Sequence, residues 1–83
     1  MTQFEMFPLE AYMRRINPEK NMYRFYHLHI ERTLFGDWCL IRQWGRIGAN
    51  GQIMRLWFDN VSDALTALQD LATAKGRRGY ITR

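Results

Sequence analysis

Along the first third of the chain, apolar and polar residues alternate with a period of two. Leu9, Ala11 and Met13 interleave with Glu10, Tyr12 and Arg14, which predicts a short strand over residues 9–16. Residues 1–8, ending at Pro8, read as a loose lead-in. The run Asn17-Pro18-Glu19-Lys20-Asn21 is a turn signal. Residues 22–32 are rich in aromatic and branched residues and predict a second strand. Met22, Tyr26, Leu28 and Ile30 share one face of it, interrupted by Arg24 and Arg32, while His27, His29 and Glu31 share the other.

A Gly-containing connection, residues 33–37, leads to a third predicted strand over residues 38–47. Its faces differ in kind. Cys39, Ile41 and Ile47 lie on one side with Gln43 and Gly45; Trp38, Leu40, Arg42, Trp44 and Arg46 lie on the other. The first side is the expected core face, which leaves the Trp/Arg side facing outward. Asn50-Gly51 is the preferred pair for the centre of a tight hairpin, and residues 52–58 form the returning strand. The period then lengthens. Val61, Ala64, Leu65, Leu68, Leu71 and Ala72 make a helical stripe, with Asn60 as N-cap, Asp63 three residues on and Gly76 as the stop.

These elements predict an α+β fold: a small twisted antiparallel sheet of three to four strands with one helix packed across one face. The tail from Arg77 is expected to end as a short strand or arm. The expected core is Leu28, Ile30, Ile41, Ile47, Leu56, Phe58, Leu65, Leu68 and Leu71. Residues 9–83 are read as one domain, without linker, repeat or low-complexity segment.

Composition narrows the function. The chain has 83 residues, 47% apolar and 14% aromatic, which is a globular composition too short for a two-domain or barrel enzyme. Stability has to come from apolar packing, because the single cysteine, Cys39, cannot form an internal disulfide. A reducing compartment, hence the cytoplasm, fits that usage. No segment is apolar enough for a membrane span and the N-terminus lacks the pattern of a signal peptide. The net charge is +4, and of twelve cationic residues only Lys20 and Lys75 are lysines. Arginine adds planar phosphate recognition and ring stacking, so the balance points to a polyanionic partner, nucleic acid first.

Catalytic chemistry finds little support. The sequence carries no nucleophile arrangement and no phosphate loop. His27 and His29 share a strand face but lack a third ligand, and one Cys with two His makes a poor zinc set. No metal and no cofactor are expected. The informative segment is Arg42-Gln43-Trp44-Gly45-Arg46-Ile47-Gly48. An indole beside guanidinium groups suits a sugar or base with its phosphate, and Gly45 lets another backbone or a ligand come close.

The chain resembles the WGR domain, named for the triplet found here as Trp44-Gly45-Arg46. The resemblance extends to Met22 through Tyr26, Trp38 through Gly48, the Asn50-Gly51 pair, Phe58 before Asn60, the Asp63-Ala64 helix and Arg77-Arg78-Gly79-Tyr80, roughly residues 9–80. It is greatest to the compact bacterial modules, which occur alone or fused to other domains. In DNA-dependent poly(ADP-ribose) polymerases this domain contacts DNA at strand breaks and relays binding to a catalytic domain. The resemblance implies that Trp44 packs on a terminal sugar and that Arg46 is the motif guanidinium. It places Arg24 and Asn21 near the end phosphate. This chain lacks a catalytic domain and zinc fingers, so it does not itself transfer ADP-ribose.

The expected function is therefore sequence-tolerant binding of DNA, including breaks or ends. Trp44 supplies stacking, Arg24, Arg42 and Arg46 supply phosphate pairing with Asn21 beside them, and Arg77 and Arg78 form a basic arm. The competing reading is a protein-interaction module that docks a larger DNA-processing enzyme through the same Trp/Arg face. A third and weaker one is a metal-dependent enzyme built on His27 and His29.

Overall fold

The structure, a computed structural model, describes residues 9–82; the predicted lead-in 1–8 lies outside the described residues. Its elements are β1 (Glu10–Asn17), a 3₁₀ turn (Pro18–Lys20), β2 (Met22–Arg32), β3 (Trp38–Arg46), β4 (Gln52–Phe58), α1 (Val61–Arg77) and β5 (Ile81–Thr82). The class is α+β as expected, but the sheet has five strands rather than three to four, in the order β4-β3-β2-β1-β5. All its pairings are antiparallel. The fifth strand is the tail. It pairs Ile81 with Arg14 and Thr82 with Met13, and at two residues it carries no periodic signal of its own.

Helix α1 starts where the capping chemistry places it. The Asn60 side chain accepts a hydrogen bond from the Asp63 amide at 2.8 Å, satisfying a donor that the first turn leaves without a partner. Its end differs from expectation. Gly76 stays inside the helix, and Gly79, at φ +97°, takes the left-handed conformation. The turn after β3 differs too. The Ala49 amide bonds to the Arg46 carbonyl at 3.0 Å, so Ile47 and Gly48 (φ +97°) occupy the turn centre instead of Asn50-Gly51.

The main correction concerns the faces of β3. Register pairs Tyr26 with Trp44, Leu28 with Arg42 and Ile30 with Leu40, so the Trp/Arg side of β3 lies on the same sheet face as the β2 core residues. Helix α1 covers that face. The core is Met13, Tyr26, Leu28, Ile30 and Leu40 against Ala64 and Leu68, with Trp38, Trp44, Leu56 and Phe58 packed around it. Cys39 and Ile41 are buried, but on the opposite face, and Ile47 lies beyond the strand and is only half-buried. That opposite face is shielded by its own side chains. Tyr12 stacks on Phe25 at 6.2 Å and meets His27 edge-on at 5.6 Å.

Candidate nucleic-acid interface

The helix crosses the sheet without reaching its end, and the uncovered corner becomes a cleft. It is open on one side, has a volume of about 500 Å³, and is lined by Asn21, Arg24, Trp44, Gly45, Arg46, Lys75 and Tyr80 together with Lys20, Met22 and Tyr23. The structure thus brings together four residues singled out from sequence: Trp44, Arg46, Arg24 and Asn21.

Each is held by local structure. Asn21 closes the 3₁₀ turn in the left-handed region, at φ 51°, a conformation that asparagine tolerates better than most residues. Its carbonyl and its Oδ1 accept from Nη1 and Nη2 of Arg46, each at 3.3 Å. The Arg46 guanidinium also lies over the Tyr23 ring at 5.2 Å. Trp44 is half-buried and packs beside Tyr26, ring centroids 6.3 Å apart. One edge of it belongs to the core while the cleft receives the rest.

Gly45 answers a backbone requirement. A Cβ there would sit 2.7 Å from the Gly51 Cα, and a Cβ on Gly51 would meet the Trp44 carbonyl oxygen at 2.0 Å. Gly51 has φ +72° as well. The two glycines let the loop fold back against β3, and the Gln43 amide nitrogen ties it down by donating to the Asn50 carbonyl at 2.6 Å. The close approach at Gly45 is thus made by the chain itself.

Arg42 stands apart from the cleft. Its Nε donates to the Tyr26 hydroxyl at 2.9 Å, and its guanidinium lies 5.3 Å from the Trp44 ring centroid. It braces the indole from the interior side. Arg77 and Arg78 are exposed at the helix end and do not line the cleft. His27 and His29 bond to Glu10 (2.6 Å) and Glu31 (3.2 Å) on the opposite face, and among the described residues no cluster of metal-ligating side chains occurs.

Arg15 was missed, and Lys75 was legible only as part of the basic tail. Arg15, Arg24 and Arg46 are successive register partners across β1, β2 and β3, a row of three like charges. Lys75 comes in from the last turns of α1, with Nζ 4.6 Å from the Tyr26 ring centroid and 5.4 Å from that of Tyr80. Burial, then the charges of Arg78, Arg42 and Arg24, push the Lys75 ammonium below the ordinary lysine range. Among the described residues, no Arg or Lys lies within salt-bridge distance of a carboxylate. Like charges directly opposite one another destabilise a sheet, and the described residues set no carboxylate against this row. Strand register decides such a row, and composition does not reveal it.

This cleft sits in a fold that comparison with known proteins identifies. The WGR domain family matches residues 9–83, and the chain belongs to that family. WGR domains are in general nucleic-acid-binding modules without catalytic activity. The chain is 46% identical over 76 residues to the uncharacterized protein y4dW of Sinorhizobium fredii (strain NBRC 101917 / NGR234). That match covers 92% of this chain and 37% of the relative, so the chain spans little more than a third of the relative's length. No solved structure matches it significantly. Among the described residues no helix is long and apolar enough to cross a membrane.

Proposed function

We propose that the domain binds DNA, ends and breaks included, through the cleft at Trp44. The carrying observation is the pair Arg24 and Arg46 with Lys75, which line an aromatic-floored cleft, with Arg15 behind Arg24 in register, and none of them has a carboxylate partner among the described residues. A phosphate between Arg24 and Arg46 relieves their repulsion and gains charge-assisted hydrogen bonds. The sugar of the same nucleotide then meets the free edge of Trp44, with Tyr80 on the other side. Asn21 holds Arg46 in place for that contact. Arg42 contributes by bracing the indole, and Arg77 and Arg78 extend the positive surface toward neighbouring phosphates. Nothing in this arrangement reads base edges, so binding is sequence-tolerant. The compartment suited to an unpaired, buried Cys39 thiol is the cytoplasm.

The competing reading, docking of a larger DNA-processing enzyme on the same face, is distinguished by salt, because phosphate contacts weaken steeply with ionic strength and an apolar docking face does not. The test is fluorescence anisotropy with dye-labelled oligonucleotides of equal length: blunt, 5′-phosphorylated, nicked and single-stranded. Binding that tightens when a terminal phosphate is present supports the reading. Absence of binding to all four at low salt refutes it.

A further inference from the structure

The end of the sheet opposite the cleft carries the second unusual feature. The β2–β3 hairpin tip places Leu34 and Phe35 in water, 100% and 92% exposed. The tip is ordered. The Thr33 amide bonds to the Asp37 carbonyl at 2.8 Å, the Gly36 amide to the Thr33 carbonyl at 3.1 Å, and the Phe35 amide to Thr33 Oγ1 at 3.2 Å. Two large apolar side chains on a fixed turn form a finger, and such exposure marks a contact surface.

Charge says what the finger fits. Strand pairing sets Glu31 and Arg32 at this end of the sheet, Asp37 precedes Trp38, and Asp59 follows Phe58, the register partner of Trp38, so three carboxylates stand there against one guanidinium, which lies over the Trp38 ring at 5.7 Å. Arg24, Arg46 and Lys75 are at the other end, about 30 Å away along β2 at a strand's rise per residue. The domain is therefore polar, with an acidic apolar finger at one end and a cationic aromatic cleft at the other. An acidic setting repels a nucleic acid or an anionic lipid surface. The finger calls for an aromatic pocket rimmed by cations, and the chain itself supplies one.

We infer that the finger of one copy docks in the Trp44 cleft of a second copy, head to tail. Phe35 enters between Trp44 and Tyr80, and Asp37 and Glu31 approach Arg24, Arg46 and Lys75. Because cleft and finger are on opposite ends, one chain cannot satisfy itself. A head-to-tail contact of this kind is heterologous and leaves a free finger and a free cleft at the ends of each open assembly, so assembly grows with concentration until a ring closes. The docked finger occupies the space we assign to DNA, and polyanion binding then frees the domain. Only this competition rests on the proposed function; the docking itself rests on geometry and charge.

The experiment mixes two variants that each retain one half of the contact. Leu34→Ser/Phe35→Ser lacks the finger, and Arg24→Glu/Arg46→Glu lacks the cationic rim. Both alter exposed side chains, and a dispersed amide NMR spectrum checks that each is folded. The ¹⁵N-labelled finger-less variant is titrated with the unlabelled rim-less variant. The expected result is a saturable shift of the Trp44 indole N–H and of the Tyr80 amide, lost in about 0.5 M NaCl, where screening acts over a few ångströms. A finger-less titrant should give no shift, and a one-to-one complex should be the largest species in the mixture. The inference is overturned if the rim-less titrant gives no saturable shift, if the finger-less titrant shifts Trp44 equally, or if the shifts map to β4, which would mean edge-to-edge strand pairing. A failure to bind DNA would overturn the proposed function and leave this result standing.

Discussion

Arg24 and Arg46 face each other directly across β2 and β3, with Arg15 on the far side of Arg24. Their strands are held together by the core below, which fixes like charges at a spacing that free side chains would avoid. Removing one should therefore separate stability from binding. Arg24→Gln is expected to melt at or above the wild-type temperature in low salt and to bind DNA more weakly. Thermal denaturation and anisotropy on the same sample check this. A large loss of stability would mean that Arg24 has a structural partner.

Trp44 serves both the core and the cleft, because Tyr26 packs against one side of it and the cleft opens on the other. Trp44→Ala should lose about 3 kcal/mol of stability, the low end for truncating a large aromatic side chain, and about 1–3 kcal/mol of DNA binding through lost stacking. Urea unfolding and anisotropy at a temperature where the variant is folded measure the two losses. Unchanged stability would return Trp44 to a purely surface role.

The glycine pair offers a sharper structural test. Gly51→Val has to fit a β-branched residue at positive φ against the Trp44 carbonyl. Gly45→Ala has to push the Gly51 backbone away. Both should destabilise, Gly51→Val more, as read by the shift in melting temperature. A Gly51→Val variant that melts with the wild type would show that the loop does not fold back onto β3.

Much of this arrangement was legible in the sequence. The second strand and the return strand fall on the predicted residues, and Asn60 caps the helix as its chemistry requires. Of the four cleft residues, Trp44 and Arg46 were legible in the motif itself, and Arg24 and Asn21 through the family resemblance. The face of β3 was not. Both of its sides are apolar, with Cys39 and Ile41 on one and Trp38, Leu40 and Trp44 on the other, so alternation alone could not choose. The register of β3 against β2 decides it, by setting Leu40 beside Ile30. The place of Lys75 was hidden for a similar reason: a lysine near a helix end reads as a dipole partner or part of a basic tail until the helix direction brings it over Tyr26 and Tyr80.

Lys75 also gives a pH-dependent signature. Its pKa is lowered in the folded chain, first by burial and then by Arg78, Arg42 and Arg24. Over the interval between that lowered value and 10.5, the unfolded chain holds a proton the folded chain has lost, so this group makes stability rise with pH there. With Lys20→Arg as background, Lys75 is the sole lysine. Its ¹³C-dimethylated resonance should titrate lower in the folded protein than in urea, and bound DNA should move the midpoint upward. Coincident midpoints would contradict the crowding of cations around it.

The most direct test of the central claim is the salt dependence of DNA affinity for wild type and Arg46→Gln. Each phosphate neutralised contributes about −0.9 to the slope of log K against log[salt] on duplex DNA. If Arg24, Arg46 and Lys75 each hold phosphate, the wild type shows a slope of about −3, and Arg46→Gln binds more weakly with a slope shallower by about one. A wild-type slope near zero, or an Arg46→Gln line parallel to the wild type, would contradict a phosphate-binding cleft.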